Sequence, residues 1–221
     1  MLFIFDWDGT LMDSTRRIIE AMQAAVDELG WPQRSADEIR EIIGLGLPEA
    51  IEHLFPEPPL SERQRLQACY AQHYVAADQQ PCEFFPGALV MLEQLKARGH
   101  LVAVATGKSR KGMQRVLGQL DMHDYFHASR CADETRSKPH PQMLHELLIE
   151  LRASSSDAVM IGDTEYDMAM ARTAGMARIA VGFGAHAVER LLQYEPVLVL
   201  DNLQQLLSWP AGQRERSANG Q

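Results

Sequence analysis

A single short apolar run, Leu2-Phe3-Ile4-Phe5, opens the chain, and no other strand-like run occurs until Pro81 has been passed. Beyond Pro81 strand and helix patterns alternate regularly, which is the signature of a parallel sheet with crossover helices. If the first run belongs to that same sheet, the intervening residues must leave the sheet and come back to it. The economical arrangement is an α/β, Rossmann-like parallel core with a helical domain inserted after its first strand. Two passes of chain would join the parts, near Asp13 and near Pro81, and two passes suit a hinge.

The inserted stretch reads as helix over Ser14–Leu29, Ser35–Ile43, Pro48–Leu54 and Ser61–Ala77, broken at Gly30-Trp31-Pro32, Gly44-Leu45-Gly46 and Pro56-Glu57-Pro58-Pro59. The alternating part predicts helices at Pro86–Ala97, Lys108–Leu120, Pro141–Leu151, Tyr166–Ala174 and Ala185–Leu192. Its strands are predicted at Leu101–Ala105, Phe126–Ser129, Ala158–Ile161, Arg178–Val181 and Val197–Leu200. The expected division is a core of residues 1–13 and 81–210, a helical domain of residues 14–80, and a polar, disordered tail of residues 211–221.

Composition excludes several classes. The net charge is −9 with only four lysines, so no basic stripe exists for nucleic acid. Cys69, Cys82 and Cys131 are odd in number and lack a C-x-x-C pair, which argues against a disulfide framework and a structural zinc site and fits a reducing compartment. The N-terminal apolar run is too short for a signal peptide or a membrane span. A cytoplasmic protein without membrane partners, a monomer or homodimer, is expected.

The chemistry concentrates where strands of the alternating half should end. Asp6-Trp7-Asp8-Gly9-Thr10 places two carboxylates two residues apart, at the sheet edge where ligands bind in open α/β folds. Asp8-Gly9 also suits a hairpin turn. The helical spacing of Ile18, Ile19, Met22, Ala25, Val26 and Leu29 instead favours strand, turn, helix. Ala105-Thr106-Gly107, Ser137-Lys138-Pro139-His140-Pro141 and Gly162-Asp163-Thr164-Glu165-Tyr166-Asp167 occupy the corresponding edges. Singly each has a structural reading: Thr106 as a helix cap, Lys138 as a solvated lysine, Asp163 as a cap with acids in the first helical turn. Together they supply carboxylates, a hydroxyl and a lysine, the inventory of phosphoryl transfer around a hard dication.

With these four motifs in order over Phe3 to about Leu207, the chain resembles the haloacid dehalogenase superfamily, in its branch with a helical cap after the first motif, such as phosphoglycolate-phosphatase-like proteins. The resemblance implies Mg²⁺ and a small phosphorylated metabolite as substrate. Asp6 would be the nucleophile that becomes an aspartyl phosphate, and Asp8 the general acid and then base. Thr106, Gly107 and Lys138 would bind the phosphoryl group. The metal would lie among Asp6, the Asp8 carbonyl and Asp163, with Asp167 orienting Lys138 or a metal-bound water. Asp8 and Asp163 disfavour dehalogenation, and the absence of any lysine before Lys96 removes the Schiff-base chemistry of phosphonoacetaldehyde hydrolases. A sugar phosphomutase, or a phosphoacceptor module similar to a response-regulator receiver, stays open as an alternative.

Two departures from the family pattern stand out. Trp7 replaces a smaller aliphatic residue and is expected in the core, and Gly107 stands where asparagine is common. Arg16 and Arg17 are expected on a solvated helix face, and Gly44-Leu45-Gly46 is a candidate loop over the site. His140 is a candidate site neighbour or a turn residue. Lys108, Arg110 and Lys111 place three cations at an expected helix start, against the helix dipole.

Overall fold

The structure, a computed structural model, describes residues 1–77 and 82–212, with side chains described to 209. Six strands form one parallel sheet in the order β3-β2-β1-β4-β5-β6: β1 Leu2–Phe5, β2 Leu101–Thr106, β3 Ala128–Cys131, β4 Ala158–Gly162, β5 Ala177–Val181 and β6 Leu198–Leu200. The first strand is central, paired with β2 through Phe5 opposite Val104 and with β4 through Phe5 opposite Ile161. Chain progression reverses at β1, so the crevice between β1 and β4 is the topological switch point.

Strand alternation fixes what β1 delivers. Phe3 and Phe5 face one side, among Val104, Ile161 and the helix α5 residues Met91, Leu92 and Leu95 of Ala88–Ala97; Leu2 and Ile4 face the other, against Met143, Leu144 and Leu147. Those last three belong to α7, Gln142–Glu150. The sheet-covering helices also include α6 Arg110–Gln119, α8 Glu165–Thr173 and α9 Val188–Leu192. Trp7 shares the parity of Phe3 and Phe5 and packs edge-on against Phe84 and Phe126, with 1% of its surface exposed. The expected core role of Trp7 is what the fold uses.

Between β1 and β2 the described chain contains only helices: α1 Thr15–Glu28, α2 Ala36–Glu41, α3 Leu47–Leu54, α4 Leu60–Ala76, and then α5. The first four share a separate apolar cluster built on Ile18, Met22, Val26, Ile39, Ile51 and Leu66. The return pass runs beside the outgoing one: Asp13 N donates to Glu83 O and Phe85 N to Leu11 O, both at 2.9 Å, around an antiparallel Met12–Phe84 bridge. Pro81, the expected linker position, lies outside the described residues, as does the tail over 213–221.

The element boundaries shift where side chains have other work. The third strand begins at Ala128 rather than Phe126, because Tyr125 and Phe126 stack on each other and Phe126 lies against Trp7. Helix α6 begins at Arg110 rather than Lys108, because Ser109 caps it by accepting from Gly112 N. Helix α9 begins at Val188 rather than Ala185, whose backbone N–H is used elsewhere. A 3-10 segment, Leu203–Gly212, has no counterpart in the sequence reading; its Leu203 and Leu206 close the core over α5. Among the described residues no helix is long and apolar enough to cross a membrane.

Leu92 is fully buried between α5 and the sheet. Leu92→Ala is expected to cost about 2–5 kcal/mol, seen as a lower urea midpoint with the slope of the transition unchanged.

Candidate active site

Asp6 follows β1 on the parity of Leu2 and Ile4, so its carboxylate enters the side of the sheet that carries the loop before α7 and the start of α8. Lys138 sits in that loop, with its ammonium 2.8 Å from Asp6 Oδ1 and 2.7 Å from Asp167 Oδ1; all three side chains are buried. Burial opposes a charged Lys138, but the carboxylates of Asp167 and Asp6 outweigh it and hold the ammonium above its ordinary pKa. Asp6 Oδ1 also accepts from Trp7 N at 2.6 Å. Asp6 Oδ2 is buried and has no hydrogen-bond partner among the described residues.

The other carboxylates are held from opposite directions. Asp167, in the first turn of α8, uses Oδ2 to accept from the Thr164 hydroxyl at 2.7 Å and the Thr164 N–H, a reciprocal capping box. Asp163, just past β4, accepts from Thr10 Oγ1 and from Ala185 N, each at 2.7 Å. Gly9, at φ +80°, is required there: a Cβ on it would lie 2.2 Å from Asp163 Oδ2. Carboxylate oxygens of Asp6, Asp163 and Asp167 all lie within 4.8 Å of one another.

Three buried acids around one ammonium leave excess negative charge. Burial pushes Asp6 well above the usual carboxylate range against the pull of Lys138, with Asp167 and Asp163 reinforcing the rise. Asp163 is pushed up to about 7 by burial and by Asp167, against the hydrogen bonds from Ala185 and Thr10. An orphaned carboxylate oxygen inside an all-oxygen acidic cluster is the donor set of a hard divalent cation such as Mg²⁺.

Thr106 and Gly107 end β2 at the same edge. Thr106 is fully buried and its hydroxyl oxygen accepts from Lys108 N at 3.1 Å. A Cβ on Gly107 would lie 2.5 Å from Leu45 O and 2.8 Å from Gly44 O, so the expected loop over the site is seated directly on the Thr106-Gly107 turn. Gly46 N adds a 2.7 Å hydrogen bond to Ser137 Oγ, one residue before Lys138.

Asp8 lies apart from the three-carboxylate cluster. Its Oδ1 accepts from Ser14 Oγ and is 3.0 Å from Lys108 Nζ, which also donates to the hydroxyl of Tyr74 on α4 at 3.1 Å. Burial opposes a charged Lys108, but Asp8, with Tyr74 and Tyr70, outweighs it and raises the pKa of the ammonium. Lys108, Tyr74, Ser14 and Thr10 were not singled out by the sequence as site groups, although Thr10 and Lys108 sit next to recognised motifs. Lys108 lies just before α6 and is paired with Asp8, and Arg110, at the true helix start, is paired with Glu134. His140 accepts from Gln142 N in the turn before α7 and takes no part in the cluster. Arg16 is exposed and paired with Glu20, as expected of a solvated face, whereas Arg17 lies 5.6 Å from the Tyr74 ring centre.

A model of the haloacid dehalogenase-like hydrolase family matches residues 3–181. The chain belongs to that family. Within the haloacid dehalogenase-like hydrolases, a Dickeya dadantii protein named "Probable phosphatase IndB" is 34% identical over 212 residues, covering 93% of this chain and 91% of its own. A Vibrio parahaemolyticus protein named "Phosphoglycolate phosphatase" is 29% identical over 214 residues, covering 93% and 94%. The crystal structure of a hydrolase from Pseudomonas syringae is 24% identical, with a TM-score of 0.87 over 96% of this chain and 97% of that one, a likeness of fold.

The close seat of Gly107 under the inserted helices of this hydrolase generates a stability test. Gly107→Ala meets two backbone carbonyls that can yield only if the loop lifts, and an expected loss of about 1–3 kcal/mol would appear in chemical denaturation.

Proposed function

We propose that the protein is a Mg²⁺-dependent phosphatase that hydrolyses a small phosphate monoester through an aspartyl-phosphate intermediate. The observation that carries this reading is the asymmetry of Asp6: Oδ1 is fixed by Lys138 and Trp7 N, while Oδ2 is buried and unpartnered. The two relatives whose printed names are phosphatases support the same chemistry. Residues 1–13 and 81–210 form the catalytic core in this reading, and residues 14–80 are a cap that keeps bulk solvent from the reacting group.

In the first half-reaction Asp6 attacks phosphorus, the bond to the alcohol oxygen breaks, and Asp8 gives its proton to the departing alkoxide. In the second, Asp8 takes a proton from water as the water oxygen attacks phosphorus, releasing inorganic phosphate and restoring the Asp6 carboxylate. The Thr106 hydroxyl and Gly107 N–H donate to phosphoryl oxygens, and Lys138 offsets their charge and that of Asp6. Asp6, the Asp8 carbonyl and Asp163 would hold Mg²⁺, which supplies Lewis-acid neutralisation of the phosphoryl group. Asp167 orients Lys138, a role supported by the engagement of both its oxygens. Asp8 needs freedom from Lys108 to carry a proton, so substrate entry must compete for that ammonium.

Asp6→Asn is expected to abolish phosphate release in the presence of Mg²⁺ while the circular dichroism spectrum is retained. Asp8→Asn should slow alkyl phosphates more than p-nitrophenyl phosphate, since the better leaving group needs no proton; equal losses would remove Asp8 as the acid.

Metal binding has a pH signature. Because the folded-state pKa of Asp163 is raised from 3.8 to about 7, the metal-free protein should lose stability as pH rises through 7, where a buried charge appears. A cation competes with that proton, so the increase in melting temperature on adding Mg²⁺ should be larger at pH 8 than at pH 6. Equal increases at the two pH values would count against Asp163 as a ligand.

A further inference from the structure

We propose that the alcohol part of the substrate is predominantly apolar, a hydrocarbon body that packs against the inserted helices. This rests on the phosphatase reading above and narrows it. A cavity of about 470 Å³ opens over Asp6 and Asp8, between the inserted helices and the core. Its two walls differ in kind. From the inserted block come Ile18, Met22, Ile42, Leu45, Tyr70 and Val75 among others, and every described lining residue from that block is uncharged. The cations Lys108, Lys111 and Arg115 all come from the core wall.

The charge therefore sits on one wall of the cavity. Lys108 is bound to Asp8 and to the Tyr74 hydroxyl, the Arg115 guanidinium lies 5.6 Å from the centre of the Tyr74 ring, and Lys111 is exposed. An alcohol body lying against the inserted helices meets carbon rather than charge, and desolvating a polar body there is unfavourable. Size points the same way, because a cavity of this volume is in the range that encloses drug-sized ligands and a two-carbon acid would leave most of it filled with water. Val75, 44% exposed, continues the apolar wall to the cavity lining's outer part on α4, an exposed hydrophobic that an apolar ligand would cover.

A homologous series of primary alkyl phosphates, from ethyl to hexyl, isolates this effect, since the leaving-group pKa barely changes along it. With Mg²⁺ present, kcat/KM is expected to rise by up to about fourfold per methylene, the value of burying one CH₂, until the cavity is filled. Val75→Lys, at an exposed position that tolerates charge, should lower hexyl phosphate turnover more than ethyl phosphate turnover. A flat or falling series overturns the apolar substrate class and leaves the phosphatase standing. No release from any ester, p-nitrophenyl phosphate included, by folded protein overturns both.

Discussion

One buried ammonium organises the centre of this molecule. Lys138 has essentially no exposed side-chain surface, and it can be charged there only because Asp6 and Asp167 flank it. The dependence is mutual, since neither carboxylate has another cation within its hydrogen-bonding shell among the described residues. The arrangement ties together three separate pieces of chain: the end of β1, the loop before α7 and the first turn of α8. It also settles which Asp6 oxygen is engaged and which is left over. With Asp163 added, three carboxylates face one ammonium, a group of acids that could hold a metal ion.

The parallel sheet and the four motif positions were legible because both follow from short-range rules. Parity along Leu2-Phe3-Ile4-Phe5 already decides that Asp6 and Trp7 face opposite sides of the sheet, and strand ends in a parallel sheet collect at one edge whatever the intervening helices do. Lys108, Tyr74 and Ser14 were not legible, because their convergence on Asp8 depends on how the inserted helices seat against the core. That seating is set by contacts distant in sequence, such as Gly44 and Leu45 over Gly107, and Gly46 on Ser137. The third strand was displaced for a related reason: Tyr125 and Phe126 look like strand residues by composition, but the Phe126 ring lies edge-on to Trp7 and the Tyr125 ring edge-on to Phe126. Local pattern identified an apolar pair and could not say what it packs on.

The inserted block is fastened to the core on two sides of the cavity. On one, Lys108 joins Tyr74 of α4 to Asp8. On the other, the Glu41 carbonyl accepts from the Tyr166 hydroxyl at 2.9 Å and lies 3.2 Å from His186 Nε2, while its carboxylate pairs with Arg190. The second fastening joins the exposed Glu41 to the buried His186 and the half-buried Tyr166 and Arg190. The first includes Asp8, to which the proposed reaction gives the proton transfers.

The two passes of chain between block and core are hydrogen-bonded to each other as a ribbon, and Met12 within it also bridges to Asp8 and accepts from Gly9 N. A lone tether would let the block turn in any direction without consequence for the core. A ribbon bends mainly about one axis, and this one has Asp8 geared to it. The helices could not swing away from the sheet without loading the ribbon to which Asp8, the proposed proton donor, is tied.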